Sequence, residues 1–309
     1  MRIVPVLAGF AVVAAVAAWR LSAPSPAIPQ SAFAALEEGG DAARGRIVFY
    51  AGGCAACHAT PGQDDRLKLG GGLKLPSPFG TFTAPNISPH KTDGIGAWRT
   101  GDLANAMLSG VAPNGAHYYP AFPFTTYGHA KLDDIKDLMA FLRRLAPVEG
   151  RAPGHELPFP FNIRRSLGLW KLLFFRPGEL AENTAKSAGW NRGAYLVEAL
   201  GHCGECHTPR NILGGQDRSR AYAGGPSPEG KGRVPNITPD PTGIGKWSKA
   251  EIVEVLASGF TPEFDSVGST MVAVVRNTAE LPASDREAIA EYIMSLAPVA
   301  SAAKKKKTE

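Results

Sequence analysis

Two five-residue segments carry all the cysteines of the chain, and both have the same pattern of residue types. The first is Cys54-Ala-Ala-Cys57-His58, and the second is Cys203-Gly-Glu-Cys206-His207. Two thiols at this spacing can add across the two vinyl groups of one porphyrin, and a histidine directly after the second thiol reaches the iron from the same face of the ring. The pattern therefore predicts two covalent haem c groups, attached through the four cysteines, with His58 and His207 as axial iron ligands.

Other uses of paired cysteines explain this pattern less well. A structural zinc site needs its second cysteine pair within a few tens of residues, whereas these two pairs lie 149 positions apart. A redox-active dithiol accounts for Cys-x-x-Cys, but it does not account for a histidine in the same place twice. Haem attachment is the interpretation that explains every residue type the two segments share.

The residues around the two segments repeat as well. Residues 85–89 read Pro-Asn-Ile-Ser-Pro and residues 235–239 read Pro-Asn-Ile-Thr-Pro, an offset of 150. Gly-Ile-Gly follows at residues 94–96 and 243–245, an offset of 149. Each half then closes with apolar residues at helical spacing, such as Ile135 and Leu138 in the first half and Ile289 and Ile293 in the second. This long-period repeat predicts a duplicated domain.

Local signals predict where some elements begin and what joins the halves. Asp41 is an expected N-cap for the helix that leads to Cys54, and Ser284 with Glu287 is an expected capping box for the last helix. Residues 157–175 are too apolar for a free linker, so we expect a connector that packs across both domains.

The two ends of the chain differ in character from the rest. Residues 3–19 form an apolar run between Arg2 and Arg20, which predicts a signal peptide or a membrane anchor over residues 1–30. Small residues at Ala15 and Ala17 suit a signal peptidase, so cleavage and retention both stay open. Four lysines at residues 304–307 supply most of the formal charge of +5, and the Lys-rich tail, residues 301–309, is expected to be disordered. The remaining charge gives no reason to expect nucleic-acid binding.

With these motifs in place, the chain resembles the dihaem cytochrome c family, whose members are electron-accepting subunits of periplasmic dehydrogenases and are related to the cytochrome subunits of membrane-bound alcohol and gluconate dehydrogenases. The residues that carry the resemblance are FYAGGCAACH, APNISPH, GIGAW and HYYPAFPFTTY in the first half, the connector FPFNIRRSLGLWKLLFF, and RGAYLVEALGHCGECHTPRN, GKGRVPNITP and MVAVVRN in the second half.

The resemblance implies a mainly α, loop-rich fold of two tandem class-I-like cytochrome c domains, each wrapped around one covalent haem, with an N-terminal hydrophobic helix. The expected boundaries are residues 38–148 for domain 1, 149–188 for the ordered connector and 189–300 for domain 2.

Such domains usually place a methionine opposite the proximal histidine, and the resemblance maps this ligand onto Met271 in the second half. In the first half, the family pattern of a tyrosine followed three positions later by methionine falls on Tyr127 and Ala130, so the expected methionine is absent. The candidates for the first distal ligand are His129, an open or water-bound position, Met107 and Met139. Asn86, Asn236 and Arg210 are candidates for holding haem propionates.

These features predict electron transfer rather than catalysis by this chain. The resemblance implies a periplasmic dehydrogenase partner with a molybdenum, flavin or quinone cofactor, and a terminal oxidase or a soluble cytochrome c as the next acceptor. The expected location is the periplasmic side of the cytoplasmic membrane, with the N-terminal helix as anchor, or the soluble periplasm after cleavage. The alternative function is a dihaem redox enzyme with an open first haem, acting on peroxide or on a small sulfur compound.

Overall fold

The computed structural model describes residues 3–230 and 232–301, which form a helical protein with two small β-hairpins. The α-helices are α1 (Ile3–Leu21), α2 (Ala42–Ala51), α3 (Cys54–His58), α4 (Thr100–Ser109), α5 (Phe124–Tyr127), α6 (Leu132–Leu142), α7 (Ser166–Phe174), α8 (Ala188–Tyr195), α9 (Cys203–His207), α10 (Lys249–Ser258), α11 (Met271–Thr278) and α12 (Ala283–Met294). Strands β1 (Lys74–Ser77) and β2 (Gly80–Thr83) pair antiparallel, as do β3 (Gly225–Pro226) and β4 (Arg233–Val234).

The first half is built on the crossing of α2 and α6. Asp41 caps α2 as expected, since its carboxylate accepts from the backbone nitrogens of Ala43 and Arg44 at 2.7 and 3.2 Å. A Cβ atom at Gly45 would lie 1.9 Å from the backbone oxygen of Asp137, so the two helix backbones meet closely at this glycine. The predicted apolar face of α6 is buried, with Ile135 and Leu138 at 0% and 2% exposure.

The second half repeats this crossing with α8 and α12. Gly193 of α8 lies against the backbone of α12, where an added Cβ would come within 2.0 Å of the Ala288 oxygen. In each half an arginine of the first helix pairs with an aspartate of the last, Arg44 with Asp137 at 2.7 Å and Arg192 with Asp285 at 2.7 Å. The predicted capping box of the last helix is wrong, because α12 begins at Ala283 after Pro282 and no side chain caps it.

The segment that follows α1 packs tightly onto the first half. His117 is buried, and its Nε2 donates to the backbone oxygen of Ser22 at 2.9 Å. Arg165 donates to the Ser22 hydroxyl at 3.0 Å and to the Trp19 oxygen at 2.7 Å, and its guanidinium lies 4.3 Å from the Trp19 ring centroid. Asn105 exchanges two hydrogen bonds with the backbone of Ile28, at 2.7 and 2.9 Å. Residues 19–28 are thereby fixed to α4 and to the connector.

The connector contacts both halves through α7. Lys171 donates to the backbone oxygens of Ser109 and Gly110 at 2.7 and 2.8 Å, at the end of α4. Trp170 donates from its ring nitrogen to the Leu213 oxygen at 2.8 Å, in the loop after α9. The segment thus contacts both halves, although several of its apolar side chains are exposed, among them Phe159 at 79% and Leu173 at 61%.

Within the part of the chain that the structure describes, we find no helix with both the length and the apolar character that crossing a membrane requires. The predicted Lys-rich tail falls outside the described residues beyond position 301.

Candidate haem sites

The two cysteine segments form matching one-turn helices, α3 and α9. Each begins directly after a residue with left-handed backbone, Gly53 at φ 66° and His202 at φ 43°. This conformation turns the chain sharply out of the preceding helix and suits glycine, whereas a histidine adopts it at some cost. Within each turn, the two cysteines and the histidine are brought onto one short helical segment.

Both predicted axial histidines are oriented by a backbone carbonyl. The Nδ1 of His58 lies 2.8 Å from the Pro85 oxygen, and the Nδ1 of His207 lies 2.8 Å from the Pro235 oxygen. A carbonyl can only accept, so Nδ1 carries the proton and Nε2 keeps its lone pair for a metal. Burial lowers the pKa of both histidines, which favours the neutral imidazole that iron requires. The repeated Pro-Asn-Ile element thus acts by presenting this carbonyl.

The four cysteine side chains are half-buried and are not joined in disulfides. Before haem is attached, burial raises the pKa of Cys54 and Cys203 to about 12, and it also raises the pKa of Cys206. Burial, followed by the charge of Cys206, raises the pKa of Cys57 to about 11. All four side chains are therefore available for thioether bonds to haem.

The two halves meet beside the attachment helices. The His202 ring packs edge-on against Tyr127 at 5.8 Å, and Tyr127 donates its hydroxyl proton to the Gly52 oxygen at 2.6 Å. Glu205 of α9 accepts hydrogen bonds from Thr125 and Thr126 of the first half, at 2.5 and 3.0 Å. The residues next to α3 and within α9 are therefore joined across the junction of the halves.

The side chains around these helices fit a porphyrin with charged edges. In the second half, Nη2 of the Arg220 guanidinium is buried and has no hydrogen-bond partner among the described residues, which suits a carboxylate that the protein itself does not supply. Arg220 was not singled out from the sequence, where it is one of several arginines in a loop. The only feature that marks Arg220 as a candidate is its buried Nη2 atom, which has no hydrogen-bond partner among the described residues.

The three side chains predicted to hold propionates have other partners. Asn86 and Asn236 each donate to a carbonyl near the end of their own half, Val148 at 2.8 Å and Val299 at 2.7 Å. Arg210 pairs with the carboxylate of Glu205. The asparagines therefore close each half on itself, and Arg210 neutralises a buried charge.

Met271 is the first residue of α11, a helix that packs against α10 and α3. His129 contacts the connector and a cavity beside α9. Its Nδ1 is 2.7 Å from the Gly178 oxygen, and it lines a cavity of about 440 Å³ together with Gly204, Glu205 and other residues around α9. Met107 and Met139 are buried in α4 and α6, at 4% and 1% exposure.

A helical fold with two short attachment helices, each with a carbonyl-oriented histidine, defines a c-type cytochrome. The family model described as "Cytochrome c" matches residues 42–146. The chain belongs to the cytochrome c family. It is 52% identical, over 82% of this chain and 85% of the relative, to a protein named "Diheme cytochrome c-type" from Cereibacter sphaeroides. It carries two covalently bound haem c groups and is an electron-transfer component rather than a catalytic enzyme.

Two further relatives are subunits of dehydrogenases. The chain is 39% identical to the "Fructose dehydrogenase cytochrome subunit" of Gluconobacter japonicus, over 82% of this chain and 52% of that relative. It is 34% identical to the "Gluconate 2-dehydrogenase cytochrome c subunit" of Pantoea cypripedii, over 82% of this chain and 59% of that relative. The chain thus spans a little over half the length of these two proteins.

Proposed function

We propose that this protein is the cytochrome subunit of a dehydrogenase complex, and that it passes electrons from the dehydrogenase to a downstream oxidase or cytochrome. Haem would be attached at Cys54 and Cys57 in the first half and at Cys203 and Cys206 in the second. His58 and His207 would be the proximal iron ligands, Met271 the distal ligand of the second haem, and Arg220 a partner for a propionate.

The observation that carries this proposal is the contact between the two halves beside the attachment helices. Haem c supplies one-electron chemistry when bound, and a carrier needs its two haems close enough to exchange an electron inside the protein. Glu205 joins α9 to the first half through Thr125 and Thr126, and His202, directly before α9, packs on Tyr127 of the first half. An electron received at one haem is therefore expected to pass directly to the other. The two proposed cytochrome c domains that hold these haems are residues 38–148 and 189–300.

The relatives indicate what kind of dehydrogenase partner this protein would have. Cytochrome subunits of fructose and gluconate dehydrogenases share about a third or more of its residues. A partner of this kind would carry a molybdenum, flavin or quinone cofactor and would perform the oxidation of substrate.

We place the protein on the periplasmic side of the cytoplasmic membrane, either held there by its N-terminal segment or soluble after cleavage of that segment. Haem c is attached outside the cytoplasm, and the residues after α1 are fixed to the folded part by His117 and Arg165. Extraction of membranes with alkaline carbonate tests the anchor, since a protein held by α1 stays in the pellet, whereas recovery in the wash contradicts it.

The proposal predicts how haem content responds to single substitutions. Cys57→Ser and Cys206→Ser should each weaken attachment at one site, so that covalent haem falls from two per chain to about one, as measured by pyridine haemochrome absorbance after denaturing electrophoresis. Ser258→Ala, at an exposed position of α10, is the control and should retain both haems. Unchanged haem content in either cysteine variant would contradict the assignment of that site.

Electron transfer is then tested with a purified periplasmic dehydrogenase that carries a molybdenum, flavin or quinone cofactor. Stopped-flow mixing with that enzyme and its substrate should reduce both haems in the wild type. Reduction of neither haem, in a protein that holds two, would contradict the proposed partner.

A further inference from the structure

The turn after α4 and the turn after α10 have the same hydrogen bonds at a constant offset. The Tyr118 nitrogen donates to the Gly110 oxygen at 2.8 Å, and the Val267 nitrogen donates to the Gly259 oxygen at 2.9 Å. A bridge joins Val111 to His117 in the first half, and another joins Phe260 to Ser266 in the second. Each pair differs by 149 positions, so the two halves are in register up to this point.

Continuing this register brings Met271 of the second half to Phe122 of the first. If the halves are aligned instead at the first residues of their next helices, α5 and α11, Met271 corresponds to Phe124. Both alignments place a phenylalanine where the second half has its predicted iron ligand. The first half therefore lacks this methionine whichever alignment is used.

The contacts of the two phenylalanines distinguish their surroundings. Phe122 packs between Tyr118 at 5.5 Å and Tyr127 at 5.6 Å, and the Tyr127 hydroxyl bonds to Gly52, just before α3. Phe124 is fully buried and packs on Phe175 of the connector at 5.2 Å. Phe122 is therefore linked through Tyr127 to the start of α3, whereas Phe124 packs on the connector.

The nearby histidines do not lie beside the first attachment helix. His117 donates from Nε2 to the Ser22 oxygen and is buried under the N-terminal segment. His129 lines the cavity next to α9, and the lining of that cavity includes no residue of α3. Met107, on α4, stands at the position of Leu256 in the second half, where an aliphatic side chain packs in the core.

We propose that Phe122 leaves the first haem iron without a side-chain ligand at its sixth position, and that the reduced iron binds a small uncharged diatomic molecule, carbon monoxide or nitric oxide, there. A phenyl ring has no lone pair to donate to iron, and the aromatic rings of Phe122, Tyr118 and Tyr127 form an environment that favours a small neutral ligand over an anion. The inference rests on the proposed attachment of haem at Cys54 and Cys57.

The test is a carbon monoxide titration of the purified, dithionite-reduced holoprotein. We expect one carbon monoxide per chain, with the spectral change of one of the two haems. Haem content, measured on the same sample, separates the two proposals: a chain without two haems contradicts the proposed attachment, whereas two haems without carbon monoxide uptake overturn the present inference.

Substitutions identify the residue responsible. Phe122→Met should abolish carbon monoxide uptake, and the weak red absorption band of methionine-ligated ferric haem should then come from both haems instead of one. Met271→Ala should raise carbon monoxide uptake to two per chain. Met107→Leu, which copies the second half, should leave uptake at one.

If the wild type binds no carbon monoxide and Met107→Leu binds one, Met107 is the ligand and the inference is wrong. If Phe122→Met fails to fold, a high-spin ferric signal from one of the two wild-type haems in electron paramagnetic resonance supports the inference, and two low-spin signals overturn it.

Discussion

Met271 begins α11 and has no counterpart with a sulfur atom in the first half. The difference is readable in the sequence by counting twelve residues from Gly110 and from Gly259, which both end helices with left-handed backbone. The family resemblance places the missing methionine at Ala130 instead, because it aligns the tyrosine-containing sequence pattern rather than the turns of the two halves. The alignment of the two halves at this point follows from the hydrogen bonds of the two turns, which the sequence does not display.

Replacing Met271 by leucine removes a thioether and keeps a similar volume. Methionine raises the reduction potential of a haem relative to nitrogen ligation. We expect Met271→Leu to lose the methionine–iron absorption and to lower the potential of one haem, as followed by a spectroelectrochemical titration. Met294→Leu, at an exposed position at the end of α12, is the matched control. A variant that keeps both the absorption and the potential would show that Met271 is not the ligand.

At the scale of elements, the helix crossings depend on glycines that have no room for a side chain. The sequence predicts the helices through their apolar spacing and predicts the cap at Asp41, but it cannot show which glycine sits at a crossing. The failed prediction at Ser284 has a related cause, since Pro282 already sets the backbone for the start of α12. Ser284 and Glu287 are then the second and fifth residues of α12, two positions too far along the chain to cap it.

Gly45→Ala should destabilise the first half, even though alanine favours a helix. Its Cβ would meet the Asp137 oxygen at 1.9 Å and the Phe141 Cβ at 2.9 Å, so the α2–α6 crossing must open. We expect a loss of about 1–3 kcal/mol in the free energy of unfolding, measured by denaturant titration. Gly154→Ala, where an added Cβ meets nothing within 4 Å, should have little effect. Equal stability of the two variants would contradict this packing.

Glu37 stabilises the start of α4 in a pH-dependent way. Its carboxylate accepts from the Thr100 nitrogen at 2.8 Å and from Arg143 at 2.7 Å. Burial opposes ionisation, but these hydrogen bonds and the charge of Arg143 outweigh it, so the pKa of Glu37 is lowered in the fold. The stabilisation is therefore present above the unfolded-state pKa near 4.5 and is lost as pH falls through the lower, folded-state pKa.

Glu37→Gln should accordingly cost about 0.3–1 kcal/mol at pH 7. The difference from the wild type should shrink as the pH falls below the pKa of Glu37, because both side chains are then neutral. Thermal unfolding at several pH values between 7 and 3 measures it. A difference that does not change with pH would mean that shape rather than charge is responsible.

At the scale of the whole molecule, the sequence predicts the duplication but not how the halves meet. Arg66, in the loop after α3, donates to the Arg276 oxygen at 3.0 Å and to the Asn277 side chain at 2.9 Å, at the end of α11. No periodicity or motif marks these residues, because contacts between the halves repeat neither in spacing nor in residue type. The same holds for Glu205 and its two threonines.

Arg66→Ala should loosen the junction while leaving each half intact. Two hydrogen bonds from a charged donor are lost, and we expect a stability loss of about 1–3 kcal/mol with slower electron exchange between the haems. Flash photolysis of a carbon-monoxide complex in a half-reduced sample measures that exchange. Arg151→Ala, whose guanidinium bonds to Thr92 within the first half, is the control. An unchanged exchange rate and stability would show that Arg66 does not hold the halves together.

The attachment of residues 19–28 to the first half also limits how the protein can mature. A protease that removed Ser22 would take away the carbonyl that pairs with buried His117 and the groups that hold Arg165. A cut after Ala17 would leave every one of these contacts in place. The amino terminus of the mature protein, readable from its intact mass, is therefore compatible with this fold only if it lies before Trp19.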